Sequence, residues 1–178
     1  SNDGSNNARF QFDNNNQILI ENDSAMNFYV NGNNNLKIDS AGRVTKALQP
    51  GFCALSGSSQ NITSSAVAVF ADKVGNPAFD NGGDYNTSNG RFTAPVAGVY
   101  LFTFSVYKQT SQATGDLNIR INGGEVGEVR LMNSNSAHET LNSSFIFKLA
   151  ASDYVDLYHD GYLHLNPTKS HFAGFLLG

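Results

Sequence analysis

From Leu117 to Asn122 the chain alternates strictly: Leu117, Ile119 and Ile121 share one face, and Asn118, Arg120 and Asn122 share the other. That period of two marks a strand with one buried and one wet face. The same period, or a short apolar run, recurs from Gly51 onward and predicts strands over 51–56, 66–71, 91–94, 98–108, 116–122, 125–132, 138–149, 153–159 and 170–177. No window holds apolar residues at helical spacing through three turns, so no helix is predicted. Asn122-Gly123-Gly124 sits at hairpin spacing, and Asn89-Gly90 precedes Arg91-Phe92. Strands spaced by roughly 8–12 residues with such punctuation argue an antiparallel sandwich or jelly roll.

Two strands are apolar on both faces. Val99–Val106 suits a central strand covered on each side, whereas Phe172–Leu177 lies at the very C-terminus. A two-layer sandwich offers a strand one cover only, so another subunit is the economical source of the second.

Residues 1–50 follow a different rule. The triplets Asn14-Asn15-Asn16 and Asn33-Asn34-Asn35 punctuate alternating stretches of a few residues, among them Phe10-Gln-Phe12, Ile18-Leu-Ile20, Phe28-Tyr-Val30 and Leu36-Lys-Ile38. Phe10-Gln-Phe-Asp13 followed by Ile18 resembles Leu36-Lys-Ile-Asp39 followed by Val44, a weak repeat of strand, turn, strand. Hairpins this short bury no core alone and gain stability by stacking, so the segment reads as an Asn-rich β-hairpin stem packed against copies of itself. The alternative is a floppy linker. Leu48-Gln-Pro50 closes the segment, dividing the chain into a stem, 1–50, and a head, 51–178.

Composition narrows the partners. The 178 residues carry a net charge of −4 with 15% charged residues, so no basic face exists for nucleic acid or anionic lipid. No apolar run approaches a membrane span, and Ser1 opens neither a Met start nor a signal-peptide pattern, so a fragment or a processed chain is expected. One cysteine, Cys53, excludes an internal disulfide and a Cys-based zinc site. The 23 asparagines and 17 glycines favour tight turns over helix.

The residues then become specific. Tyr85-Asn86, Gly90-x-Phe92-Thr93-Ala94-Pro95-Val96-x-Gly98-Val99-Tyr100-x-Phe102-x-Phe104 resembles the signature of the C1q globular-head domain. Leu149, Asp153, Val155 and Leu157, then His171-Phe172-x-Gly174-Phe175-Leu176-Leu177, match that family's last two strands in order and spacing. The resemblance covers residues 51–178. It implies an all-β, ten-stranded antiparallel jelly-roll sandwich of the C1q/TNF type, a tight homotrimer, and a C-terminal strand near the three-fold axis with Phe172, Phe175 and Leu177 in the trimer core. There are departures. Fifteen residues separate Phe70 from Tyr85, so a loop around 77–83 is enlarged; Ala151-Ser152-Asp153 replaces the usual Gly-Asp turn; and no collagen-like Gly-X-Y period precedes residue 51. The stem residues 31–45 resemble repeats in tail-fibre and other virion proteins of bacteriophages, some of which C1q-like domains cap.

No catalytic constellation appears. The histidines are 138, 159, 164 and 171, and Cys53, in a strand beside Phe52, reads as a buried inert thiol. Asp153, Asp156, Asp160 and His159 suggest metal ligation, against the plainer reading of carboxylates at a strand end and turn. No cofactor is expected. Some members of the family bind calcium, but no loop here is acidic enough to supply six oxygens; a shared axial site is left open, with His171 the residue that symmetry could triple. The Asn-x-Ser/Thr sequons, among them those at Asn61, Asn86 and Asn142, match chance in so Asn-rich a chain.

Strand alternation brings three connections to the end remote from the stem: 108–116, 132–138 and 159–170. They are amide-rich and nearly uncharged, which suits hydrogen bonding to neutral sugars. The candidate ligand-binding residues are Lys108, Gln112, Asp116, Asn133, Asn135, His138, Tyr162, His164 and Asn166; Tyr162 and His164 are the aromatics for stacking on a pyranose, the alternative being that Tyr162 packs under its own loop. The sequence thus points to a non-enzymatic trimeric phage fibre tip that binds a host-surface receptor, a glycan by preference, joined to upstream fibre segments and located on the virion. The alternatives are a structural knob that trimerises or decorates the fibre, and a secreted cellular C1q-like lectin.

Overall fold

The computed structural model describes residues 25–63, 65–72, 75, 77–108, 114–131 and 139–178. The chain divides into two compact units, Ser1–Ala47 and Leu48–Gly178.

In the first unit, Asn31 and Gly32 both adopt positive φ, 50° and 78°, the pair a type I′ turn requires. That turn joins β1 (Ala25–Val30) to β2 (Asn33–Asp39), and β3 (Val44–Thr45) completes a three-stranded antiparallel sheet in the order β1-β2-β3. The second bend is held by Asp39: Oδ1 accepts from the amides of Ala41 and Arg43, and Oδ2 pairs with Arg43 Nε at 2.7 Å. These contacts hold the Asp39 carboxyl below the usual range, the bond to Arg43 first.

The second unit contains twelve strand segments among its described residues, two more than the ten expected. They are β4 (Gly51–Leu55), β5 (Gln60–Ile62), β6 (Ala66–Val67), β7 (Phe79–Asn81), β8 (Tyr85–Asn86), β9 (Arg91–Thr93), β10 (Gly98–Lys108), β11 (Thr114–Ile121), β12 (Gly124–Leu131), β13 (Glu139–Leu149), β14 (Tyr154–Leu165) and β15 (His171–Leu176). One sheet runs β13-β10-β15-β4-β7. The other runs β12-β11-β14-β9-β8, with β5 and β6 also on β14. Every pairing is antiparallel. Asn122-Gly123 forms the expected hairpin turn, with φ of 52° and 82°.

The enlarged loop after Phe70 carries a short strand of its own. Its β7 pairs with β4 and widens the first sheet, and Asp80 accepts from the amides of Asp84 and Tyr85 to bring the chain into β8.

The core lies between the sheets and is largely aromatic. Phe52 stacks on Tyr85 at 4.6 Å and on Phe92 at 5.1 Å, while Phe102, Phe70 and Phe172 pack around them. Gly174 makes this packing possible, because a Cβ there would stand 2.7 Å from the Phe102 ring and 2.8 Å from the Phe52 ring.

Two expectations are corrected. The stretch 159–170 is not one loop: β14 continues to Leu165, since β5 pairs with its last residues and Leu163 and Leu165 fill the core. Phe172 is fully buried inside its own sandwich, so it belongs to no subunit interface.

Candidate functional site

Register fixes which chain segments meet at each end of the head. Lys108 lies opposite Glu139, Ser105 opposite His171, Gly115 opposite Leu131 and Thr114 opposite Tyr162. The three connections singled out by alternation therefore leave their strands at one end. A fourth joins them, because Leu55 lies opposite His171 and Gln60 opposite Leu165, which puts residues 56–59 there too. Pro50 is at the other end, where its carbonyl accepts from the amide of Leu176 at 3.0 Å.

The described part of this distal end is tied together by hydrogen bonds. The buried Ser170 hydroxyl accepts from the amides of Tyr107, at 3.1 Å, and Asn166, at 3.0 Å. The amides of Ser56 and Gly57 donate to the carbonyls of Ser170 and Pro167. Gln60 Nε2 reaches the carbonyls of Ser56 and Val69. The Asn166 side-chain oxygen caps its own turn, accepting from the amides of Thr168 and Lys169.

Tyr162 and His164 are displaced from the role assigned to them. Both stand on β14 rather than on a loop, and both donate to one acceptor, Asn61 Oδ1: Tyr162 Oη at 3.0 Å and His164 Nδ1 at 2.8 Å. His164 is only 7% exposed, which removes its ring as a stacking platform, whereas Tyr162 stays half-buried. Asp116 lies on β11 and its main-chain carbonyl accepts from His159 Nδ1 at 3.0 Å. Lys108 ends β10, and its side chain lies outside the described residues, as do Gln112, Asn133, Asn135 and His138.

The second surface is the outward face of the five-stranded sheet. Side chains alternate along β15, so Phe172 and Gly174 face the core while His171, Ala173, Phe175 and Leu177 face away. Phe175 is 40% exposed and Leu177 53%, and Ile146 on β13 is 63% exposed. Phe79 extends the patch, its ring 5.7 Å from that of Phe175. Cys53 sits on this face, opposite Ala173, and is half-buried rather than part of the core; burial raises its thiol pKa. His171 is half-buried beside Leu55 and Ser105, and desolvation lowers its pKa.

A third cluster escaped the sequence reading. On the outward face of the other sheet, Asp156 is fully buried between two arginines. Arg120 grips it with Nε–Oδ1 at 2.7 Å and Nη2–Oδ2 at 3.0 Å, and Arg91 adds Nε–Oδ2 at 3.2 Å. Each guanidinium lies over a tyrosine of β14, Arg91 over Tyr154 at 4.2 Å and Arg120 over Tyr158 at 4.0 Å. The three strands β9, β14 and β11 bring these residues together from positions far apart in sequence, so spacing alone carried no signal. The bond to Asp156 raises the Arg120 pKa.

The aspartates weighed above as metal ligands have partners within the protein. Asp156 is committed to arginines, Asp160 accepts from Ser65 Oγ at 2.6 Å, and Asp153 accepts from Asn122 Nδ2 at 2.7 Å and from the amide of Ala150. Among the described residues no three His, Cys, Asp or Glu side chains converge.

Two antiparallel sheets, an inner C-terminal strand between β10 and β4, and connections gathered at one end define a jelly roll of the C1q/TNF class. Solved structures share it: the globular domain of zebrafish complement 1qA protein superposes with a TM-score of 0.56 at 22% identity, covering 73% of this chain and 98% of that one. Murine APRIL gives 0.57 at 12% identity, covering 72% and 99%. The C1q domain family model matches residues 52–177, and the chain belongs to that family. Complement C1q tumor necrosis factor-related protein 3 of Mus musculus is 36% identical over 98 residues, which are 54% of this chain and 40% of that protein; the Homo sapiens protein gives the same figures. Caprin-2 of Danio rerio is 33% identical over 107 residues, 56% of this chain and 12% of its own. The chain thus spans well under two thirds of these relatives. Domains of the C1q/TNF type form homotrimers and are in general non-enzymatic.

Proposed function

We propose that residues 48–178 form a trimeric, non-enzymatic binding head of a secreted C1q-like protein. It presents three copies of the distal connections to an extracellular receptor, preferentially a glycan. The observation that carries this reading is the apolar outward face of the five-stranded sheet. Phe175, Leu177 and Ile146 leave large surfaces in water on a sparsely charged face, with Lys148 on its edge strand and Lys169 over the ring of Tyr107, as a subunit interface would. In a trimer built on that face the distal ends project together, and weak single contacts gain from trivalency. The C1q tumor necrosis factor-related relatives favour the secreted setting over a virion.

Sedimentation of the full chain tests the first half: a trimer mass is expected, and Phe175→Asp with Leu177→Asp shifts it to monomer while the circular dichroism stays that of β-sheet. A wild-type chain that sediments as a monomer at micromolar concentration sinks the reading. For the second half, the trimer is applied to a glycan array and bound signal is compared with the monomeric variant; equal signals from both refute a trivalent head.

A phage fibre tip is favoured by one feature, the Asn-rich repeat of residues 31–45 and the hairpin it forms. That reading expects the purified chain to compete with a phage for adsorption to its bacterial host. A fibre knob with a purely structural role expects no such competition.

A further inference from the structure

The sheet of the first unit has one apolar face. In its register Met26 lies opposite Ile38, Phe28 opposite Leu36, and Ile38 opposite Val44, so these five side chains line one side. Asn27 lies opposite Lys37 and Lys37 opposite Thr45, which makes the other side polar. The apolar side is partly wet: Phe28 is 51% exposed and Val44 58%, while Met26, Leu36 and Ile38 are half-buried. A sheet of three short strands with such a face partly uncovered is marginal in water.

We infer that Met26, Phe28, Leu36, Ile38 and Val44 form a self-association face, which packs against the same face of two further copies of this chain. The inference rests on the trimeric head proposed above. The unit boundary falls between Ala47 and Leu48, and only residues 46–50 separate β3 from β4. A trimeric head therefore holds three copies of this sheet at an effective concentration on the order of millimolar, as short tethers do. The face carries no charge with which to select a foreign partner, and the identical copies are already at hand. Such packing explains a Met-Phe-Leu-Ile-Val surface in a segment otherwise dominated by asparagine.

Cross-linking of the full chain tests this, in a Cys53→Ala background so that the introduced thiol is unique. Phe28→Cys and Lys37→Cys both alter exposed positions, one on each side of the sheet. With a short bismaleimide, Phe28→Cys is expected to give covalent dimers on denaturing gels, at a yield that does not change on tenfold dilution, and Lys37→Cys is expected to stay monomeric. The same samples are sedimented without reagent. A trimer in which Phe28→Cys fails to cross-link, or in which Lys37→Cys cross-links equally well, overturns the stem inference and leaves the head reading standing. A chain that sediments as a monomer overturns both. Hydrogen exchange of residues 25–45 guards against a misfolded variant: slow exchange matching wild type is expected for Phe28→Cys, and fast exchange in the wild-type trimer itself overturns the packed stem.

Discussion

Replacing Phe172 and Phe175 by alanine, one at a time, separates the core of the sandwich from its outward face with two residues of one strand. Phe172 is fully buried and its ring meets those of Phe52 at 5.1 Å, Phe102 at 6.0 Å, Phe70 at 6.1 Å and Tyr85 at 6.2 Å. Truncating a buried Phe costs about 3–5 kcal/mol, and the upper part of that range applies where the surroundings cannot collapse. Here they are aromatic rings on hydrogen-bonded strands, so about 4–5 kcal/mol is expected. At roughly 3–4 °C per kcal/mol for a domain of this size, Tm falls by about 12–20 °C. Phe175 is 40% exposed and packs against Phe79, so its truncation removes part of one side chain's burial, about 1–1.5 kcal/mol within a subunit. In the trimer proposed above, its larger effect falls on association. The assay is thermal unfolding by circular dichroism together with sedimentation at matched concentration. Phe172→Ala melts early, and Phe175→Ala dissociates at concentrations where the parent is trimeric. A Phe172→Ala chain that melts within about 3 °C of the parent refutes the burial argument. One that dissociates into folded monomers refutes the facing of β15.

Three further outcomes follow from the same geometry. Asp156→Ala strands Arg120 and Arg91 without their shared carboxylate; because both arginines keep some access to water, the cost is set at about 2–3 kcal/mol, read as a lower urea midpoint, and a chelator leaves the wild-type midpoint unmoved. Ser170→Ala deprives the amides of Tyr107 and Asn166 of their acceptor and costs about 2 kcal/mol in the same assay, while Ser170→Thr is milder if the added methyl is accommodated. Burial holds the pKa of His159 below its ordinary 6.5, so the unfolded chain binds the proton more tightly than the folded one. The stability due to this neutral histidine is complete above about pH 6.5 and declines as the pH falls below it. His171 shifts in the same direction, so His159→Gln flattens the acid limb of a Tm-versus-pH curve without abolishing it. An unchanged limb refutes the assignment.

The distal candidates show where sequence reasoning stopped short. The sequence pattern ends a strand at residue 159, yet β14 runs on through Gly161, at φ 118°, to Leu165. Beyond that glycine Leu163 and Leu165 return to the core, because β5, at residues 60–62, supplies a partner from far earlier in the chain. Tyr162 and His164 were placed on a loop for want of that partner. Asn61, which both of them contact, was weighed only as a sequon.

Local chemistry alone determined much of this protein. The period of two, the Asn-Gly turns and the absence of helical spacing are properties of neighbouring residues, and they yield all-β strands near their observed positions. Antiparallel alternation adds which connections share an end, since it needs only the order of the strands. What faces what was decided by the tertiary structure. Phe172 and Phe175 are equally apolar, and only the position of the second sheet puts one inside and leaves the other on the surface. Arg91, Arg120 and Asp156 come from three strands, and their union depends on pairings that no local pattern encodes. The physical reason is the same in each case: strand formation is a short-range preference, whereas burial and ion pairing belong to surfaces assembled from distant segments.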